Sequence, residues 1–192
     1  MTQTRPNQEK IPPNYLYILS ALVEDKPGVL FRITNLFRAR NFNIESITVG
    51  STESADLSRM TITTTSDERT LDQLVKQLRK VIDVVEVRVL DRNNTVYREL
   101  ALIKMNAKGP SSRTEITNLA SIFRGNILDI DKATLTVEIT GTPDKIEAFR
   151  NLVSDFGVVQ LARTGVSALP RGGYEGESLD DSNGAEDSSR LP

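Results

Sequence analysis

One order of apolar runs and helical periodicities occurs twice along this chain of 192 residues, and that repetition limits the possible folds more than any other feature. The first copy opens with a strand-like run, Tyr17 to Val23, punctuated by Asp25-Lys26-Pro27-Gly28. Val29, Leu30, Ile33, Leu36 and Phe37 then recur at helical spacing, with Pro27 expected in the first helical turn and Asn41 to Asn43 expected to end the helix. Ile44, Ile47 and Val49 alternate as a strand, and Arg59 to Thr65 alternate as another. Leu71, Leu74, Val75 and Leu78 mark a second helix, and Val84 to Leu90 a closing strand. The second copy follows the same plan. Leu100 to Met105 reads as a strand, and Ser112 with Glu115 predicts a capping box before Ile116, Leu119, Ile122 and Phe123. Ile127 to Ile130 and Leu135 to Ile139 are strands, Thr142-Pro143 opens a helix through Ile146, Phe149, Leu152 and Val153, and Val158 to Ala162 closes the copy. Each copy therefore reads β-α-β-β-α-β, and the predicted class is α+β: two tandem ferredoxin-like βαββαβ domains.

The implied divisions are a flexible extension over 1–15, a first domain over 16–92, a second over 93–170 and a tail over 171–192. The tail carries Glu175, Glu177, Asp180, Asp181, Glu186 and Asp187 among glycines and serines. So little apolar surface does not offset ordering entropy, and disorder is expected. A solubilising role and a docking role are both open for such a segment.

Composition removes whole classes of chemistry. The chain has no cysteine and no histidine, which excludes disulfides, thiolate nucleophiles, Cys/His zinc sites and histidine general bases. A net charge of −2 offers nothing global to nucleic acid or to an anionic membrane surface. No apolar run approaches a membrane span, and the polar start with Pro12 and Pro13 has no signal-peptide core, so a cytoplasmic location is expected. No converging Asp/Glu/Lys cluster stands out, so the expectation is no catalytic residue and no metal ligand in this chain.

The stretch Glu24-Asp25-Lys26-Pro27-Gly28-Val29-Leu30 places a glycine at the start of a helix that follows a strand. First-turn amides of a helix lack intrahelical partners and can hold an anion, and glycine lets a ligand approach them without a Cβ in the way. A free amino acid supplies a carboxylate for the amides and an ammonium for an acceptor such as Asp25 or the Asn43 amide oxygen. Charge-assisted hydrogen bonds of about 1.5–3 kcal/mol and burial of an isopropyl group at about 1.5–3 kcal/mol oppose the cost of association. The balance suits dissociation constants of roughly micromolar to millimolar, about −8 to −4 kcal/mol. The same four residues also serve as a plain strand-to-helix turn, and Asn43 as a plain helix stop.

The run Glu24 to Leu30, followed by Asn41-Phe42-Asn43-Ile44-Glu45-Ser46-Ile47-Thr48-Val49-Gly50, resembles an ACT domain, and more narrowly the small regulatory subunits of acetohydroxyacid (acetolactate) synthase. Leu57 to Ile62, Arg98 to Lys104, Ile122 to Asp129, Thr140-Gly141 and Ala162 to Gly165 extend the resemblance in order, from about Tyr17 to Arg171. It implies an N-terminal ACT domain and a C-terminal ACT-like domain. It implies as partner a separate large catalytic subunit that uses thiamine diphosphate, Mg2+ and FAD to condense two pyruvates to 2-acetolactate, or pyruvate with 2-oxobutanoate. The small subunit raises that activity and confers feedback inhibition, usually by valine. In the family, ACT domains pair about a two-fold axis with the ligand between them. Carried onto this chain, one copy supplies Asp25, Lys26, Pro27, Gly28, Val29 and Leu30, and its mate supplies Asn43 and Ile44. Many members have asparagine where this chain has Asp25, a change that repels a carboxylate but favours an ammonium. Ala107-Lys108-Gly109-Pro110 lacks the Pro-Gly order, so the second copy is assigned contact with the catalytic subunit instead, with Arg124, Gly125, Arg163 and Gly165 as either interface or turn residues.

Two other classes fit these residues less well. A stand-alone amino-acid-sensing transcription regulator needs a DNA-reading helix pair and a basic face, and no segment remains to supply them. A small enzyme on this scaffold needs a polar constellation that is absent.

Overall fold

The computed structural model describes residues 15–174 and 176. Among the described residues two compact units emerge: the first holds residues 15–45, Val49–Thr95, residues 170–174 and Gly176, the second Ser46–Thr48 and Val96–Leu169. The elements of the first are β1 (Tyr15–Glu24), α1 (Val29–Ala39), β2 (Ser46–Ser51), β3 (Leu57–Ser66), α2 (Glu68–Leu78) and β4 (Val84–Leu90). Those of the second are β5 (Thr95–Asn106), α3 (Pro110–Ile122), β6 (Asn126–Ile130), β7 (Thr134–Gly141), α4 (Pro143–Val153), a 3-10 turn (Ser154–Phe156), β8 (Val158–Arg163) and β9 (Ser167–Pro170). The sheets run β2-β3-β1-β4 and β6-β7-β5-β8, the same order in each copy, which is the ferredoxin-like arrangement expected from the repeat. The short strand β9, which pairs with β5, has no counterpart in the repeat.

Antiparallel register decides which face is core. Leu19 lies opposite Ile62 and Val89, and Ala21 opposite Met60 and Val87. Leu19, Ala21, Met60, Ile62 and Val87 are buried along with Ile33 and Phe37 of α1 and Leu71, Leu74, Val75 and Leu78 of α2. In the second unit Ala101, Ile103 and Met105 of β5 and Leu135, Val137 and Ile139 of β7 pack with Ile116 and Ala120 of α3 and Ile146, Phe149 and Val153 of α4. The period-2 pattern of the strands and the 3.6-residue pattern of the helices thus converge on one core per unit.

The helix ends show what each capping residue does. α1 ends at Arg40 with Asn41 in the left-handed region at φ 56°, and the Phe42 N–H donates to the Phe37 carbonyl at 3.0 Å. The Phe42 ring packs edge-on against Phe37 with centroids 6.1 Å apart. This is a Schellman stop with its hydrophobic contact. α3 stops the same way, with Arg124 at φ 53° and the Gly125 N–H donating to the Ala120 carbonyl at 2.8 Å. Asn41, not Asn43, therefore stops the first helix. Thr142 caps α4 as expected, accepting from the Lys145 N–H. The capping box does not form: α3 already begins at Pro110 after Gly109, so Ser112 lies inside it and its hydroxyl turns back to the Lys108 carbonyl at 3.4 Å. A proline suited to the first helical position overrode the Ser/Glu pattern.

Candidate functional site

Asp25, Lys26, Pro27 and Gly28 form the bend between β1 and α1, and all four are exposed. The Val29 N–H reaches the Lys26 carbonyl at 3.4 Å, and Gly28 has φ 89° and ψ −8°. These are the marks of a type II turn, with proline at its first central position and glycine at its second. Pro27 therefore lies outside α1: a left-handed Gly28 cannot continue into a right-handed helix, so the helix begins at Val29. Val29 is buried and anchors the helix, while Leu30 is exposed beside the turn. The backbone of Asp25 is held by its N–H donating to the Asp56 carbonyl at 2.8 Å. No side chain caps the first turn of α1, and with the Val29 N–H turned to Lys26 the Leu30 and Phe31 amides are the ones available to a ligand.

Charge around this turn is arranged by residues that the sequence alone did not single out. Arg32, one helical turn after Gly28, forks onto Asp83, with Nε to Oδ2 at 2.6 Å and Nη2 to Oδ1 at 2.8 Å. Asp83 is buried, and its own carbonyl accepts from the Glu24 N–H at 2.9 Å, which ties β1, α1 and the start of β4 together. Two of the three guanidinium nitrogens are thereby fixed, and the third, Nη1, lies 3.4 Å from where a Cβ on Gly28 would stand. Lys26 is committed elsewhere: its Nζ pairs with Glu24 at 2.9 Å, and that carboxylate holds the ammonium above the ordinary lysine value. The cation facing the amides is Arg32. Its position four residues after glycine was a readable signal, but Asp83, 51 residues away, was visible only in the fold.

The Arg32 fork keeps the Asp83 carboxyl below its ordinary value of 3.8. A depressed carboxylate stabilises the fold fully above the unfolded value, and that contribution disappears as pH falls through the folded value. In an NMR pH titration Asp83 will titrate below 3.8, and Arg32→Gln will return it toward that value. An Asp83 titration unchanged by Arg32→Gln would show that the fork is not the cause.

Asn43 and Ile44 stand at the other end of α1. The Asn43 carbonyl accepts from the Thr64 hydroxyl at 2.6 Å, and its side-chain Nδ2 donates to Glu45 at 2.7 Å. Asn43 is exposed and lines a polar hollow with Asn41, Thr64, Ser66 and Asp67, while Ile44 is half-buried beside it in sequence and does not line that hollow. α1 has 11 residues, about 16 Å at 1.5 Å per residue. One copy of the chain therefore does not bring Asp25–Leu30 and Asn43–Ile44 together around a small ligand.

In the second unit, Arg124 is the left-handed stop of α3. A Cβ on Gly125 would meet the Glu138 carbonyl at 2.8 Å, a demand for close approach. Arg163 pairs with Glu99 and lies 3.7 Å from Glu147. Among the described residues no group of acidic side chains could hold a metal ion, and no helix is long and apolar enough to cross a membrane.

Comparison with known proteins adds the context of relatives. Residues 19–86 match the model described as the AHAS small subunit-like ACT domain, and residues 98–172 the model described as the small subunit of acetolactate synthase. A protein of Methanothermobacter thermautotrophicus named "Probable acetolactate synthase small subunit" is 51% identical, over 81% of this chain and 93% of its own length. The acetolactate synthase small subunit of Mycolicibacterium smegmatis is 44% identical, over 81% of this chain and 91% of its own. The crystal structure of the acetolactate synthase small subunit from Thermotoga maritima superposes with a TM-score of 0.76 at 43% identity, covering 82% of this chain and 98% of that one.

Proposed function

This chain belongs to the family of acetolactate synthase small subunits, and on that premise we propose that it stimulates the catalytic subunit and makes it responsive to valine or a related branched-chain amino acid. As a regulatory subunit of the enzyme it works with a catalytic large subunit. The condensation of pyruvate, with thiamine diphosphate, Mg2+ and FAD, takes place on that partner, in the cytoplasm.

The observation that carries the reading is the uncapped, glycine-led first turn of α1 with a fixed arginine beside it. Main-chain amides and Arg32 Nη1 suit the effector carboxylate, and Asp25 suits its ammonium, since the opposite order would set two carboxylates together. The remaining wall comes from Asn43 and Ile44 of a second copy. Three features support this arrangement: the half-sites lie at opposite ends of α1, β2 is an edge strand, and Leu30, Phe31 and Val49 are exposed on α1 and β2. Two copies paired along β2 continue the sheet and cover those side chains.

Regulation then follows from linkage. An amino acid that bridges two copies favours one arrangement of the pair, and it inhibits only insofar as that arrangement fits the catalytic subunit less well. A coupling of about 1–3 kcal/mol is typical. The test is an acetolactate colour assay. The purified chain alone will show no activity, will stimulate the catalytic subunit when mixed with it, and will make the mixture sensitive to valine, leucine or isoleucine. Arg32→Gln will keep stimulation and weaken the response at least about tenfold. If no branched-chain amino acid changes the activity of the mixture, the regulatory reading fails. If the wild type responds and Arg32→Gln responds equally, only the arginine's role fails.

A further inference from the structure

The residues that follow β9 do not leave the molecule at once. The Arg171 N–H donates to the Asn94 carbonyl at 2.8 Å, and the Tyr174 N–H donates back to the Arg171 carbonyl at 3.0 Å. Gly173, at φ 80°, is the second central residue of this turn, a position that requires positive φ. The turn brings the Tyr174 hydroxyl under the Asp91 N–H, which donates to it at 3.0 Å. At Gly176 the backbone lies flat against β4: a Cβ there would stand 3.1 Å from Arg88 Cβ and from Leu90 Cδ2.

Arg88 and Leu90 identify the face on which this happens. Arg88 lies opposite Ser20 and Leu90 opposite Ile18. Ser20 in turn lies opposite Thr61, and Ile18 opposite Thr63. These side chains point away from the face that carries Leu19, Ala21, Met60 and Ile62 under the helices. A sheet face rich in Ser and Thr is normally wet. Here Ile18 is 1% exposed, Ser20 4%, Thr61 4%, Thr63 2% and Leu90 3%.

We propose that this polar sheet face of the first unit is the docking surface for the chain's own C-terminal segment, residues 177–192, with Arg171–Gly176 as the latch that starts it across. Charge is complementary. The segment carries Glu177, Asp180, Asp181, Glu186 and Asp187 against a single basic residue, Arg190. The face carries Arg59, which donates to the Ser20 hydroxyl at 3.1 Å, and Arg88, whose charge is shared with Glu86 on the same face, so the face is positive by one charge among these three groups. Length suffices as well. Sixteen residues follow Gly176, and an extended chain covers about 3.3 Å per residue, whereas four strands span only about 15–20 Å. The acidic segment thus closes this face in cis.

The absence of native cysteine makes the test clean: Ser20→Cys creates a single thiol on the face. Its alkylation by iodoacetamide is followed in the full chain, in a chain ending at Pro170, and in full chains carrying either Tyr174→Ala or amides in place of the five tail carboxylates. The full chain will react slowly, and faster at high salt as the charge attraction is screened. The shortened chain will react at least about tenfold faster, and the two full-length variants will fall between. If shortening unfolds the protein by circular dichroism, the two full-length variants and the salt series decide alone. Equal rates in all forms overturn the proposal: uniformly slow labelling means that another part of the chain or a second copy covers Ser20, and uniformly fast labelling that nothing does.

Discussion

Gly28→Asp will abolish effector binding and leave a holoenzyme that is stimulated but insensitive to branched-chain amino acids. At φ 89° any side chain is strained, and a left-handed L-residue costs roughly 1–2 kcal/mol. The added Cβ stands 3.4 Å from Arg32 Nη1, so an aspartate there places its own carboxylate where the effector's belongs and takes the arginine's remaining donor. Binding measured by calorimetry will fall at least about 100-fold, which corresponds to about 2.7 kcal/mol. The strain alone will lower the melting temperature of the first unit by roughly 4–8 °C per kcal/mol, to a similar extent in Gly28→Ala, so the binding lost beyond that variant reports the added charge. Gly28→Ala, with the same backbone strain and no charge, will lose less. A holoenzyme that carries Gly28→Asp and keeps normal feedback sensitivity would remove this turn from the site.

The second large effect belongs to the core of the other unit. Phe149 of α4 has no exposed surface, and its ring meets Phe123 edge-on with centroids 5.3 Å apart. Interiors pack at crystal-like density, so truncation leaves a hole that neighbours only partly fill. Phe149→Ala will cost about 3–5 kcal/mol, a large part of the 5–15 kcal/mol that holds a typical domain together. In differential scanning calorimetry the transition of the second unit will drop by more than about 10 °C, and Phe149→Leu will drop it less. A transition within a few degrees of wild type would mean that the α4 core is not what holds this unit.

How far the fold could be read depended on whether its causes were local. The strands β1 to β8 and the helices α1 to α4 followed from periodicity, because a strand with one buried face must alternate and a helix with one buried face must repeat at 3.6. Thr142-Pro143 was legible for the same reason, since a cap and the proline after it act within one turn. Where two local signals competed, the weaker one misled: Pro110 outranked Ser112 and Glu115, and a left-handed Gly28 kept Pro27 out of α1. The strand β9 has no partner in the repeat, and its Ser167-Ala168-Leu169-Pro170 is too short to announce itself.

The candidate site divides along the same line. Asp25 to Leu30 form one continuous turn and were readable as a unit. Asn43 looked like a helix stop, yet Asn41 does that work, which frees Asn43 for other contacts. Arg32 lies one helical turn after Gly28, which is local, but its grip on Asp83 spans a separation of 51 residues, and nothing between them signals that meeting. Long-range pairs of this kind are fixed by sheet register and helix placement, which no window of sequence contains.

The 11 residues of α1 also act as a spacer. A metabolite a few ångströms long cannot span that distance, so an isolated copy holds only half of a grip at either end. On the proposed reading association completes the grip, so the response will depend on the protein's own concentration as well as the metabolite's. Dilution of the protein will therefore weaken the response at a fixed amino-acid concentration, and more amino acid will restore it, because a ligand that bridges two copies also drives them together.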